Sequence, residues 1–427
     1  MIFARSAAAT AILVVLASSC AQAQSLQVLH RFTYRQGTFV SDGPALDGNG
    51  NLFGTSGTGR GKCGCGSVFE IAADGSYSLL YSFTGNDGSG RRHYRADGPV
   101  GGVVRDTQGN LYGTTREGGD YSLCFQEGCG SVFKLDTNGR AHDLHDFKGG
   151  DGDGEDPRAG LAIDGGGNVY GVTSNLGPFG GTLFRITQAG AYETLHSFMG
   201  IPDGEQPLAK VLRDDAGNLY GTTFRGGRTC AESNGGCGTV FKLAPDGTYS
   251  ILFAFPGGHG GAGPTSSLSM DAKGNLYGTT STATADNSGV AFEIAPGGTE
   301  TVLHEFVGGA DGEQPSSGLL LHPDGNLYGT TMIGGEGECY CGLIYRITRH
   351  GRKSNVHSFH VRDGANPSGD LVADADGRIY GATMQGGRCK RQSFGCGVIY
   401  RLDLNGASPP NRRPVPRPSS PRWRERS

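Results

Sequence analysis

The heptapeptide Gly-Asn-Leu-Tyr-Gly-Thr-Thr stands at Gly109–Thr115 and recurs unaltered at Gly217–Thr223, Gly274–Thr280 and Gly325–Thr331. Looser copies occupy Gly50–Ser56, Gly167–Thr173 and Gly377–Thr383. The aromatic of the phrase falls at Phe53, Tyr112, Tyr170, Tyr220, Tyr277, Tyr328 and Tyr380, at intervals of 50 to 59 residues. That period is too long for a helical hairpin or a β-helix rung and suits a propeller blade. Each copy sits in a unit of four short apolar runs separated by Gly/Asp turns. In the fourth unit the runs are Lys210–Arg213, Asn218–Thr222, Thr239–Leu243 and Tyr249–Phe255. None has the length or the period of a helix, and separators such as Asp-Ala-Gly-Asn and Pro-Asp-Gly-Thr are hairpin turns. The pattern predicts an all-β chain: a seven-bladed β-propeller of four-stranded antiparallel blades.

The two ends of the repeat region complement each other. Ser25–Phe32 matches the last strand of other units, as in Leu195–Phe198, whereas the final unit stops after its third strand, Val398–Leu402. The opening strand is therefore expected to complete the last blade, which removes the exposed sheet edge of an open array. In this arrangement the heptapeptide is the second strand of each blade. The third strand carries Phe69, Phe133, Phe184, Phe241, Phe292, Tyr345 and Tyr400. The outermost carries Phe32, Phe83, Phe147, Phe198, Phe255, Phe306 and Phe359. Large rings outside and Gly, Ser, Ala and Thr inside suit wedge-shaped blades packed around an axis.

Composition sets limits on class. Gly makes up 77 of the 427 residues without a Gly-X-Y period, and Pro is only 19, so the chain is not collagen-like. A net charge of −4 leaves no basic footprint for nucleic acid. Residues 1–23 read as a secretory signal, with Arg5, an apolar Ala7–Leu16 stretch and Ala21-Gln22-Ala23 before Gln24. Lipidation at Cys20 is the rival reading of the same stretch. No apolar run is long enough to span a bilayer as a helix. Residues 24–406 form the propeller, and the Arg/Pro-rich residues 407–427 are expected to be a solvated tail. The mature protein is expected to be secreted or surface-held, and a monomer.

The long second-to-third loops and the connections between blades share one face, opposite the tight turns, and any site is expected there. The loops hold cysteine pairs, read as local disulfides in an exported chain: Cys63–Cys65, Cys124–Cys129, Cys230–Cys237, Cys339–Cys341 and Cys389–Cys396. For the Cys-x-Cys pairs, bridging across blades is an alternative, since a bridge over one residue is strained. The connections repeat Asp-Gly-x-x-Pro at Asp153–Pro157, Asp203–Pro207, Asp311–Pro315 and Asp363–Pro367. Two readings of this motif stand side by side. It is a turn that starts the inner strand, or its carboxylates (Asp153, Glu155, Asp156, Asp203, Glu205, Asp311, Glu313 and Asp363) ring the channel mouth and bind a hydroxyl-rich ligand or cation. Asp151, Asp153 and Asp156 form the densest cluster and a weak Ca²⁺ candidate; no other cofactor is expected. The unrepeated Arg91, Arg92, His93 and Tyr94 are a further candidate ligand-binding stretch. Five histidines, His30, His145, His196, His304 and His357, share one outermost-strand position with Tyr81 and Phe253, which points to ring packing.

The phrases GNLYGTT, GCGTVFKL and LHSFxGxxDGEQP resemble the GloVer tandem repeat of the choice-of-anchor family of exported bacterial proteins. The resemblance covers roughly residues 25–406. It implies a surface or secreted protein with a C-terminal anchoring module, and it supplies no catalytic residues. Residues 407–427 depart from that pattern, with neither an apolar anchor nor a sorting signal. The expected function is a recognition scaffold that binds glycan or a cell-surface protein through its loop-rich face. A polysaccharide-active lyase or hydrolase on the same scaffold is the alternative, by fold analogy alone.

Overall fold

A computed structural model describes residues 24–40, 42–58, 65–83, 98–119, 124, 128–150, 152–174, 180–231, 233–282, 288–387, 389 and 395–404. They form seven antiparallel sheets, the blades of a β-propeller. Blade 1 comprises Ala45–Leu46, Leu52–Ser56, Ser67–Ile71 and Tyr77–Ser82, from the axis outward. Blade 2 is Val104–Arg105, Leu111–Thr115, Ser131–Leu135 and Ala141–Asp146, and blade 3 is Ala162–Ile163, Val169–Thr173, Thr182–Ile186 and Tyr192–Ser197. Blade 4 is Leu212–Arg213, Leu219–Thr223, Thr239–Leu243 and Tyr249–Ala254. Blades 5 and 6 have a split inner strand (Ala262–Pro264 with Ser269–Met270, and Glu313–Pro315 with Leu320–Leu321). Their outer three strands are Leu276–Thr282, Val290–Ile294 and Glu300–Glu305, then Leu327–Ile333, Leu343–Ile347 and Lys353–Ser358. Blade 7 is Ala365–Ala373, Ile379–Gln385 and Val398–Asp403, completed by Ser25–Arg31. That opening strand pairs Leu26 with Leu402 and Val28 with Tyr400, so the ring closes as the sequence predicts.

Asn, Tyr, Gly and both Thr of the heptapeptide have identifiable roles, most of them visible in blade 2. Asp106 starts the tight turn; its Oδ1 accepts the amides of Gln108 and Asn110 at 2.9 and 2.8 Å. Its Oδ2 accepts Asn110 Nδ2 at 2.7 Å and the Tyr112 hydroxyl at 3.0 Å. The same tyrosine–aspartate bond recurs at Tyr170, Tyr220, Tyr277 and Tyr380. Partial burial opposes ionisation, yet the bonds from Asn110 and Tyr112 hold the Asp106 carboxyl below its ordinary value. Burial, then the bond to Asp106, pushes Tyr112 up to about 12.

The glycine of the phrase faces the aromatic of the third strand: Gly113 pairs with Phe133 and Gly221 with Phe241. A Cβ on Gly113 would stand 2.6 Å from Phe133 Cζ. Bare backbone is thus required for the ring to lie flat across the sheet. The first threonine reaches the next blade, as Thr114 Oγ1 donates to Ala159 O at 3.0 Å and Thr279 Oγ1 to Ser317 O at 3.0 Å. The second bonds within the ladder, as Thr223 to Thr239 at 2.8 Å. Where blades 6, 7 and 1 meet, serines take over: Ser316 Oγ donates to Pro367 O and Ser368 Oγ to Val40 O.

Between blades, each outermost phenylalanine meets the next blade's third-strand ring. Phe83 lies edge-on to Phe133 with centroids 5.2 Å apart, and Phe32 to Phe69 across the closure at 4.9 Å. These rings are fully or almost fully buried. Burial of each is worth roughly 1.5–3 kcal/mol, with about 0.5–1.5 more for the paired geometry.

Two outcomes follow from this packing. Phe241→Ala should cost about 3–5 kcal/mol and Gly221→Ala about 1–3 kcal/mol in denaturant unfolding. The double variant should cost less than the sum, because the new methyl enters space the ring has left. The depressed turn carboxylates add stability that is present above the unfolded aspartate value and lost as pH falls through the folded one. The thermal midpoint should therefore drop below about pH 4, and less steeply in Asp106→Asn, as read by circular dichroism.

Candidate functional site

The second strand ends, and the third begins, on the face opposite the tight turns, so the long loops and the inter-blade connections share that face. Disulfides staple several of the loops. Cys124–Cys129, Cys230–Cys237, Cys339–Cys341 and Cys389–Cys396 are bridged, each within its own loop. The Cys339–Cys341 pair is thus local rather than shared between blades. Cys65 is disulfide-bonded, and Cys63 lies outside the described residues.

The Asp-Gly-x-x-Pro motifs do not put their leading carboxylates at the axis. Each first aspartate turns back to the histidine on the outermost strand just left, at the periphery. Asp153 Oδ1 lies 2.6 Å from His145 Nε2, while Oδ2 accepts the Lys148 amide at 2.7 Å. Asp203 holds His196 at 3.1 Å and accepts the Met199 amide at 3.0 Å. Asp311 holds His304 at 3.0 Å, and Asp363 Oδ2 lies 3.2 Å from His357 Nε2 without hydrogen-bond geometry. Asp311 also takes Lys353 Nζ at 2.6 Å. Although burial opposes it, His304 and Lys353 hold this carboxyl down at about 2. Two of the histidines also stack on the next blade, His145 on Tyr192 and His196 on Tyr249, both with centroids 3.8 Å apart. His304 and His357 lie edge-on to Phe306 and Phe359 of their own blades. Ring packing is therefore half of their role, and orienting the connection is the other half.

The remaining motif residues have separate settings. Glu155 Oε2 lies 2.9 Å from Cys124 Sγ, and burial, then the Asp156 charge, pushes its carboxyl up. Cys124, Cys129 and Glu155 come together, but the two sulfurs are spent on their bridge. Asp156 pairs with Arg116 at 3.0 Å and Arg158 at 2.7 Å. The suggested Ca²⁺ cluster is thus divided between protein partners at Asp153 and Asp156, and Asp151 lies outside the described residues. Glu205 exchanges backbone bonds with Arg225, and Glu313 lies on the split inner strand. Arg91, Arg92, His93 and Tyr94 also lie outside the described residues.

One strained position recurs beside them. The residue before the motif proline has positive φ at Asp156 (59°), Gln206 (59°), Gln314 (54°) and Asn366 (53°). Its amide is pinned to the preceding blade, as Gln206 to Gly180 O at 2.6 Å and Asn366 to Cys341 O at 2.8 Å. Such residues cost about 1–3 kcal/mol each and persist where the surroundings over-determine them.

The axis itself carries charge that the motifs do not announce. Aligned on the tight turns, one inner-strand position reads Gly43, Gly102, Gly160, Lys210, Ser267, Gly318 and Asp370. The position falls outside the ladder pairing: the blade 4 inner strand starts at Leu212, and in blade 7 Asp370 lies where the register shifts between Ser368 and Val372. These segments crowd one another: a Cβ on Gly318 would stand 2.6 Å from Ser267 O. Lys210 of blade 4 meets Asp370 of blade 7 across the ring, Nζ to Oδ2 at 3.8 Å. Asp42, one position earlier in blade 1, accepts the amides of Gly43 at 2.7 Å and Gly102 at 2.6 Å. Burial, then the Asp370 charge, raises its carboxyl above the usual range. Asp370 Oδ1 accepts the Gly318 amide at 2.9 Å. The sequence holds a signal for this cluster: in a column of glycine and serine, Lys210 and Asp370 are the exceptions.

The two faces differ in surface chemistry. Among the described residues, the exposed large apolar side chains of the loops and connections are Tyr34, Phe39, Met199, Ile201, Val307, Tyr340 and Val361. The others, Leu79, Ile251, Val302 and Leu321, lie on strands, and the tight turns have none.

A family model described as the Gloeobacter/Verrucomicrobia repeat matches residues 91–232 and 227–409. No curated protein matches the sequence. Among solved structures, the chain is similar to the extracellular domain of the hybrid two component system BT3049 from B. thetaiotaomicron. The identity is 14% and the TM-score 0.54, covering 88% of this chain and 41% of that one. The extracellular domain of the one component system BT4673 from the same organism is similar at 14% identity and TM-score 0.52, covering 87% and 40%. The gluconolactonase XC5397 from Xanthomonas campestris aligns at 14% identity and TM-score 0.43, covering 89% of each chain. At such identity the likeness to the two extracellular domains is one of fold. The family match takes in most of the repeats, and the chain belongs to the Gloeobacter/Verrucomicrobia repeat family.

Proposed function

We propose that this is an exported recognition protein whose loop-rich face binds a glycan or a protein surface. The asymmetry of the two faces carries the reading. Apolar and aromatic side chains such as Phe39, Val307 and Tyr340 stand exposed on the loop-rich side, and none stands exposed on the described tight turns. Large exposed apolar patches mark interaction surfaces, and on this protein such side chains occur on the loops and connections of one face. Rigidity supports the same reading. Disulfides, aspartate–histidine clamps and pinned positive-φ residues hold that face in place, which lowers the ordering cost of binding. The bridged cysteines also favour an oxidising compartment, in keeping with export.

A glycan array and a cell-surface binding assay on the full chain should identify ligands. Phe39→Ser and Tyr340→Ser should each weaken the strongest one about tenfold or more, while Asn49→Ala on the tight-turn face leaves it unchanged. Equal loss from both faces would count against the assignment, and turnover of a polysaccharide would replace it with an enzymatic one.

A further inference from the structure

Beside the charged waist formed by Lys210 and Asp370, the inner strands of blades 2 to 7 surround a cavity of about 550 Å³. Its walls are largely apolar, with half-buried Val104, Leu212, Met270, Leu320 and Val372 among the lining, and Lys210 and Asp370 border it at the waist. The inner-strand residues that lead into the tight turns complete the lining, Ile163, Arg213 and Leu321 among them. The cavity therefore lies on the tight-turn side of the waist, away from the loop-rich face. Its volume falls within the range of small-molecule pockets, roughly 300–1,000 Å³.

We propose that this cavity is a separate binding site for a small molecule with an apolar body and a neutral hydroxyl head. The valences left open at the waist select the head. Both oxygens of Asp42 accept backbone amides, and Oδ1 of Asp370 accepts a third. What remains is Oδ2 of Asp370 and the ammonium of Lys210, which makes no hydrogen bond among the described residues. These two atoms lie 3.8 Å apart, too far for a direct hydrogen bond. A hydroxyl oxygen between them, about 2.8 Å from each, accepts from Nζ and donates to Oδ2. A carboxylate head would bring a third negative group beside Asp42 and Asp370, and an ammonium head would sit against Lys210. In a wall of leucine and valine such like-charge contacts are poorly screened.

The test uses the full chain and calorimetric titration with 1-octanol, octanoate and octylammonium. The alcohol should bind saturably at one site, about tenfold or more tighter than either ion. Lys210→Met and Asp370→Asn should each weaken it about fivefold to tenfold. Leu320→Trp, which fills the cavity from its wall, should abolish binding with the thermal midpoint kept. If the two charge variants fail to fold, the three probes and Leu320→Trp still decide the matter. No saturable heat from any probe would leave the waist to water alone and overturn the proposal. So would an ion binding as tightly as the alcohol, or octanol binding that survives Leu320→Trp. Octanol affinity should be unchanged in Tyr340→Ser, which separates this site from the loop-rich face.

Discussion

An aromatic ring laid on a strip of bare backbone sets the geometry of every blade. The heptapeptide glycine removes the one substituent that would hold Phe133 or Phe241 off the neighbouring strand. With the ring lowered onto the sheet, the outermost phenylalanine of the preceding blade meets its edge about 5 Å away. Sheet spacing, ring burial and the wedge that brings seven sheets around a circle all follow from that contact. Other positions of the phrase then act on a surface already shaped. Tyrosine ties the strand to its turn, and threonine ties it to the next blade.

The histidine–aspartate clamps show how one chain adjusts a repeated joint. In four blades the aspartate of the connection meets a histidine of the outermost strand, at His145, His196, His304 and His357. The connection from blade 4 to blade 5, Pro256–Gly261, has no aspartate, and the matching strand carries Phe253. Packing is kept in both cases, since either ring fills the space. What changes is whether a carboxylate of the connection sits against that ring at its outer end. The disulfides act on the neighbouring loops, so the same face is stiffened from two sides.

Blade number, strand identity and ring closure were legible in the sequence because each is a property of one repeat or of its absence. A phenylalanine at a fixed place in each copy needs no knowledge of the ring to be read as core. Contacts between copies were harder to see. The Asp-Gly-x-x-Pro aspartates looked axial because they precede the inner strands, yet they bond backward to a strand already laid down. The covariation of His145 with Asp153, and of Phe253 with a glycine-rich connection, holds that information. Lys210 and Asp370 are not legible for a related reason. In linear order they are 160 residues apart and unremarkable; only circular closure sets them face to face.

Closure by Ser25–Arg31 has a consequence for how the molecule comes into being. The strand made first finds its partner, Val398–Asp403, only when nearly the whole repeat region has been synthesised. Until then Phe32 lacks part of its shelter, and the junction of blades 7 and 1 does not exist. Long-separation pairings of this sort form late and slowly. An intact ring thus certifies that synthesis ran to the seventh blade, and an interrupted product announces itself by an unmated border at each end.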